Sequence, residues 1–136
     1  MDGIILTPLK KIPNSSGDVL HAMKTSDRGY NGFGEAYFSC LNQGAIKGWK
    51  KHNKMTLNIV VITGEIQFVI YNEKNYFEVI LSKDNFQRLT ILPGLWLAFK
   101  GLSQKNVLLN LANIEHDANE SENMNLHDLD YNWNKT

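Results

Sequence analysis

Residues 44–65, GAIKGWKKHNKMTLNIVVITGE, join a basic cluster to an almost unbroken apolar run. The stretch reads as a short strand, a turn-like glycine, a cluster of lysines around one histidine, and a long strand ending at Thr63-Gly64. His52 stands among Lys47, Lys50, Lys51 and Lys54. The β-branched run LNIVVIT fits a pleated, buried surface rather than a helix. Thr63-Gly64 then reads as a tight hairpin turn into EIQFVIYN. Working outward, GIILTPL, GDVLHAMK, GFGEAYFSCL, YFEVILS, the run ending at Pro93-Gly94, LWLAFKGL and NVLLNLAN are further short strands between polar or Gly/Pro turns. Short strands at this spacing predict an all-β sandwich or closed barrel.

Size and charge narrow the classes. The 136 residues fit one domain, 1–136, and 43% hydrophobic content supports a packed core. Fourteen basic and fourteen acidic residues cancel. A neutral domain has no global field for a polyanion, so no nucleic-acid partner is expected. Cys40 is the single cysteine, so no intrachain disulfide is possible. The apolar run near the start, Ile4–Leu6, is too short for a signal-peptide core, and no run reaches the ~20 residues of a membrane helix. The expectation is a cytoplasmic protein without a membrane partner. The segment 114–136 is polar and acidic, with Tyr131 and Trp133 as anchors expected to pack it back on the barrel.

The order of pieces resembles a known family. GAIKGWKKH, the long strand ending at Gly64, LTILPGLWLAFKGL, HDANESE and DLDYNW together look like the cupin superfamily. More narrowly they resemble the dTDP-4-dehydrorhamnose 3,5-epimerases and their shorter sugar-nucleotide relatives, over roughly Ile4 to Trp133. The resemblance implies a single cupin-type double-stranded β-helix, a jelly-roll barrel, paired as a homodimer. Laid on this chain, the family's Arg-Gly-x-His-x-Gln segment puts Lys47-Gly48 in the Arg-Gly place, Lys50 in that of the catalytic histidine and His52 in that of the glutamine. Leu97 stands where a second-motif histidine would be, His116 near the catalytic tyrosine, and Leu57 in the place of an active-site lysine.

The implied activity is epimerisation or isomerisation next to the keto group of a nucleotide-activated 4-keto sugar, within surface-polysaccharide precursor synthesis. That chemistry needs a base for the α-proton, a donor or cation for the enolate oxygen, and an acid to return the proton. Histidine, with an ordinary pKa of ~6.5, suits base or acid work. The catalytic candidates are therefore His52, Lys50 as enolate stabiliser or phosphate contact, and His116 as a second proton carrier. Lys47 is the diphosphate contact. Glu35, Tyr37 and Ser39 share one strand face as substrate contacts, with Glu35 lining a cavity or pairing with a cation. Trp49 is a stacking ring for base or sugar, or a core residue. One histidine beside Glu35 is too thin for a metal site, so no metal and no cofactor are expected. Two alternatives stay open: a non-catalytic sugar-nucleotide-binding cupin or supporting subunit, and a sugar 3,4-ketoisomerase.

Overall fold

Among the described residues twelve strands account for nearly all the regular structure, nine of them β-branched or aromatic runs of five to eight residues between turn residues, and three only two or three residues long. A computed structural model describes residues 1–134; Lys135 and Thr136, at the end of the 114–136 segment, lie outside the described residues. The strands are β1 (Ile4–Pro8), β2 (Lys11–Ile12), β3 (Val19–Leu20), β4 (Glu35–Asn42), β5 (Ile46–His52), β6 (Leu57–Thr63), β7 (Ile66–Tyr71), β8 (Tyr76–Leu81), β9 (Gln87–Ile91), β10 (Trp96–Gly101), β11 (Lys105–Ala112) and β12 (Ser121–Asn123). Two five-stranded antiparallel sheets face each other, ordered β1-β9-β6-β11-β4 and β12-β5-β10-β7-β8, with β2-β3 a small ribbon apart. This is the cupin jelly roll. Its core between the sheets includes Leu57, Ile59, Phe68, Ile70, Leu89 and Leu108.

Two local expectations are corrected. β6 and β7 are not a hairpin: β6 lies in the first sheet and β7 in the second, and the chain crosses between sheets at Gly64. Both strands are apolar on both faces (Val60, Val61, Val69 and Ile70 are each at most 1% exposed), so alternation gave no cue to pairing. Gly64 has φ +76°, and a Cβ there would lie 2.1 Å from the Lys105 carbonyl oxygen, so glycine is required at this crossing. The turn-like glycine within the basic stretch does not make a turn: Ile46–His52 is strand throughout, Gly48 included. The true hairpin is β7-β8, turned at Asn72–Asn75, where the Asn72 side chain accepts from the Lys74 and Asn75 amides.

The outer face of β6 and β9 is closed by the segment 21–32 through a polar clasp. Arg88, 0% exposed, donates to Asn58 Oδ1 (3.2 Å), the carbonyls of Ala22 (2.8 Å) and Arg28 (3.0 Å), and Asp27 Oδ2 (3.1 Å). Thr90 Oγ1 and Gly29 O hold the rest of Asn58. A buried guanidinium is tolerated only with its donors satisfied, as they are here. The amide of Lys24, ahead of the opposing effect of burial and the attraction of Arg88, holds the Asp27 carboxyl below its usual value. Replacing Arg88 by methionine takes the guanidinium donors from two carbonyls, from Asn58 and from the Asp27 carboxylate, which keeps only its bonds to Lys24. The expected cost is about 3 kcal/mol or more, read as a lower urea midpoint at unchanged slope.

Candidate active site

β5 builds the site. Period-two alternation turns Lys50 and His52 to the same side, toward the space between the sheets. A β-bulge opposite Leu97/Ala98 then makes Trp49 the extra residue of the strand: Lys50 pairs with Leu97, and Gly48 with Ala98. The bulge brings Lys47, paired with Phe99, onto the same inner side as Lys50 while the Trp49 ring faces outward. Gly48 permits the bend. Its φ is +142°, and a Cβ would sit 2.4 Å from the Ala98 Cβ.

The result is a cavity of about 440 Å³ between the sheets. Lys47, Lys50 and His52 from β5, Tyr37 and Ser39 from β4, Asn110 from β11 and Asn123 from β12 provide its polar groups. Leu57, Ile59, Leu97, Phe99 and Leu108 make its apolar wall. Lys47 Nζ donates to Ser39 Oγ (3.0 Å) and the Cys40 carbonyl (2.9 Å), bridging the two sheets across the cavity. Asn110 Nδ2 donates to Tyr37 Oη (3.0 Å), which leaves the tyrosine hydroxyl hydrogen available to another acceptor. Among the described residues, no hydrogen bond or ion pair engages the Lys50 ammonium.

His52 is completed by a residue from far along the chain. Glu120, 3% exposed, closes a short 3-10 turn (Ala118–Glu120) whose start is capped by Asp117. Its Oε1 hydrogen-bonds His52 Nδ1. Its Oε2 accepts the backbone amides of Asn53 (3.1 Å), Lys54 (3.1 Å) and Met55 (3.2 Å). Burial pushes the Glu120 carboxyl up, but the bonds from His52, Lys54 and Met55 more than offset it and hold it below its usual value. Glu120 is therefore an ionised acceptor, so His52 Nδ1 must carry a proton. In the neutral ring, Nε2 is then the basic nitrogen. The strand end is fixed as well: Gly94 N–H donates to the His52 carbonyl (2.7 Å), and Asn53 N–H to the Glu120 carbonyl (2.7 Å). The Pro93-Gly94 turn thus holds the histidine's backbone.

The cavity gathers His52, Lys50, Lys47, Tyr37 and Ser39. It does not gather the other three candidates as ligand contacts. His116 is exposed, in the loop four residues before Glu120 and away from the cavity. Glu35 pairs with Ala112 one inward position along β4 from Tyr37 and lies off the lining. Trp49 borders the cavity, but its indole is 1% exposed and packs on Tyr76, Tyr131 and Trp133, because the bulge rotates it to the outer face. Its ring is a packing group rather than a stacking platform. Glu120, Asn110 and Asn123 were missed. Glu120 is one acid among several in a polar tail, and only its 68-residue contact with His52 sets it apart. Among the described residues, no three His, Cys, Asp or Glu side chains gather as metal ligands.

Two packed antiparallel sheets with a polar cavity between them are the cupin architecture. The chain belongs to the WxcM-like, C-terminal (FdtA) family, whose model matches residues 4–127. It is similar to a dTDP sugar isomerase from Desulfovibrio desulfuricans G20, at 31% identity and TM-score 0.91, covering 97% of this chain and 91% of that one. The sugar 3,4-ketoisomerase QdtA from Thermoanaerobacterium thermosaccharolyticum, solved in complex with TDP, is 17% identical at TM-score 0.80, covering 90% and 88%. The 3,5-epimerase RmlC from Legionella pneumophila is 17% identical at TM-score 0.79, covering 94% and 76%. These last two share the fold. No curated protein matches the chain.

Proposed function

We propose that this protein is an isomerase that moves the carbonyl of a nucleotide-activated 4-keto sugar to the adjacent carbon. The observation that carries this reading is the Glu120–His52 pair with Lys50 beside it on one inner face of the cavity. In this chemistry His52 Nε2 removes the proton from C3, and the C–H electrons form the C3=C4 bond of an enolate. Lys50 stabilises the negative charge on O4. The O3 proton passes to O4, and the imidazolium returns its proton to C4. The carbonyl is then at C3, with no net gain or loss of protons or electrons. One base on one face suffices, so no carrier is required in the place of His116. Glu120 stabilises the imidazolium while it holds the proton. Lys47 takes the diphosphate at the cavity edge, and the apolar wall accepts the less polar edge of a deoxy sugar. The 31% identity to a dTDP sugar isomerase supports the same class.

A second reading, epimerisation at the carbon next to the ketone, is favoured by Tyr37. It enters from the sheet opposite β5 with a hydroxyl hydrogen to donate, as a return of the proton on the other face requires. The two separate in one assay. With a dTDP-activated 4-keto-6-deoxyhexose, carbon-13 NMR is expected to show the carbonyl signal move from C4 to C3. Inversion with the ketone still at C4 would establish the epimerase. Nucleotide binding without conversion would establish a binding protein.

The reading extends to setting. A homodimer covering the β4 edge is supported by Phe33 and Phe38, which are 63% and 64% exposed beside it. An unpaired, exposed Cys40 suits the reducing cytoplasm, and 3-keto or epimerised sugars suit surface-polysaccharide precursors. No helix is long and apolar enough to cross a membrane among the described residues, and the neutral charge favours a nucleotide-sugar partner over nucleic acid.

A further inference from the structure

The outward side chains of β5 are as constrained as the inward ones are exposed to the cavity. Trp49 lies in an aromatic cluster on the outer face of the second sheet, with ring centroids 6.5 Å from Tyr131 and 6.0 Å from Trp133. Tyr131 and Trp133 in turn meet edge-on at 4.8 Å. Gln67 donates to the Tyr131 hydroxyl (3.3 Å), and Lys100 to the Trp133 carbonyl (3.4 Å), so strands β7 and β10 fix the tail. The Trp49 backbone exchanges hydrogen bonds with Met124, at 3.2 and 3.0 Å. Lys51, the next outward residue, lies 5.0 Å over the Trp96 ring and 3.3 Å from Glu122. Besides Tyr76 of β8 and Val69 of β7, the outward contacts of the bulged strand are made to β10 and to the chain after Glu120. The inward residues at the same bulge are Lys47 and Lys50.

We propose that the C-terminal segment is a positioning brace for the two cavity lysines, acting through the Trp49 indole. Tyr131 and Trp133 hold the bulge in the one register that turns Lys47 and Lys50 inward together. A bulge adds a residue to one strand only, so releasing Trp49 frees β5 to regain plain alternation. Lys47 would then fall on the opposite face from Lys50. The brace makes Trp133 a determinant of diphosphate recognition without touching the ligand. The ligand part rests on the nucleotide-sugar reading above.

The test measures TDP affinity and backbone amide exchange for wild type, Trp133→Ala and Trp133→Phe. Trp133→Leu takes the place of W133A if that chain does not fold. W133A is expected to bind TDP about tenfold more weakly and to exchange faster at Trp49 and Lys50, while W133F stays near wild type. In a Lys47→Met, Lys50→Met background, W133A should change the TDP affinity less than about twofold, because the effect runs through those lysines. An equal loss in both backgrounds, or a folded W133A that binds TDP like wild type, overturns the brace. If the wild type binds no TDP at all, the nucleotide-sugar reading falls. The brace is then decided by exchange alone, and unchanged protection at Trp49 and Lys50 in W133A overturns it.

Discussion

His52→Asn is expected to lower turnover by about 10³-fold, the middle of the range for a general acid–base group, while nucleotide affinity stays within about threefold. Asparagine keeps an N–H near the place of Nδ1, so it retains the bond to Glu120 and the local packing. It has nothing in the place of Nε2. The substitution therefore separates the base from the scaffold, and steady-state turnover measured beside TDP binding reads the two effects. Equal losses in both would mean that His52 holds the cavity together rather than moving a proton.

Glu120→Gln is expected to act on both chemistry and stability. Three backbone amides point at Oε2, so the glutamine carbonyl must stay there and its NH₂ must face His52. Nδ1 then has to accept, the ring proton moves to Nε2, and the base is lost. Turnover should fall about 10²- to 10⁴-fold, the range for a histidine held in the wrong tautomer. Removing a buried, hydrogen-bonded charge should also cost about 2 kcal/mol or more at neutral pH. The pH dependence gives the sign. The Glu120 carboxyl is held below its usual value in the folded chain, so the unfolded chain takes up the proton first as pH falls. Its stabilising contribution is complete above about pH 4.5, the ordinary value, and fades as pH drops through the lowered one. Urea midpoints between about pH 7 and pH 3 should fall less steeply for E120Q than for wild type. A residual fall remains in the variant, because Asp27 is also held below its usual value.

Much of the barrel could be read from the chain, and the reason is local. Runs such as EAYFSCLN and YFEVIL carry their own period and turn signals, and their faces follow from alternation. The cupin resemblance ordered those runs and put His52, Lys50 and Lys47 in one place. What escaped was non-local. The β6–β7 crossing hides behind strands that are apolar on both faces. The bulge at Trp49 breaks the alternation that would otherwise assign its side, and the glycine that permits it is fixed by Ala98 on another strand, which leaves no room for a Cβ at Gly48. Glu120 belongs to a tail whose composition reads as solvated surface. Its role comes from a turn that folds back across 68 residues to meet His52. His116, named from the same segment, lies four residues before Glu120, exposed and off the cavity lining.

The central claim is that His52 takes a proton from the carbon beside the ketone of a bound nucleotide sugar. Proton NMR in deuterated water, with a dTDP-activated 4-keto-6-deoxyhexose, follows that proton directly. Wild type is expected to exchange deuterium into the carbon next to the carbonyl, and H52N to show no exchange above the uncatalysed rate at nucleotide concentrations that saturate it. Equal exchange in the two proteins, or none in wild type with the nucleotide sugar bound, would contradict the account.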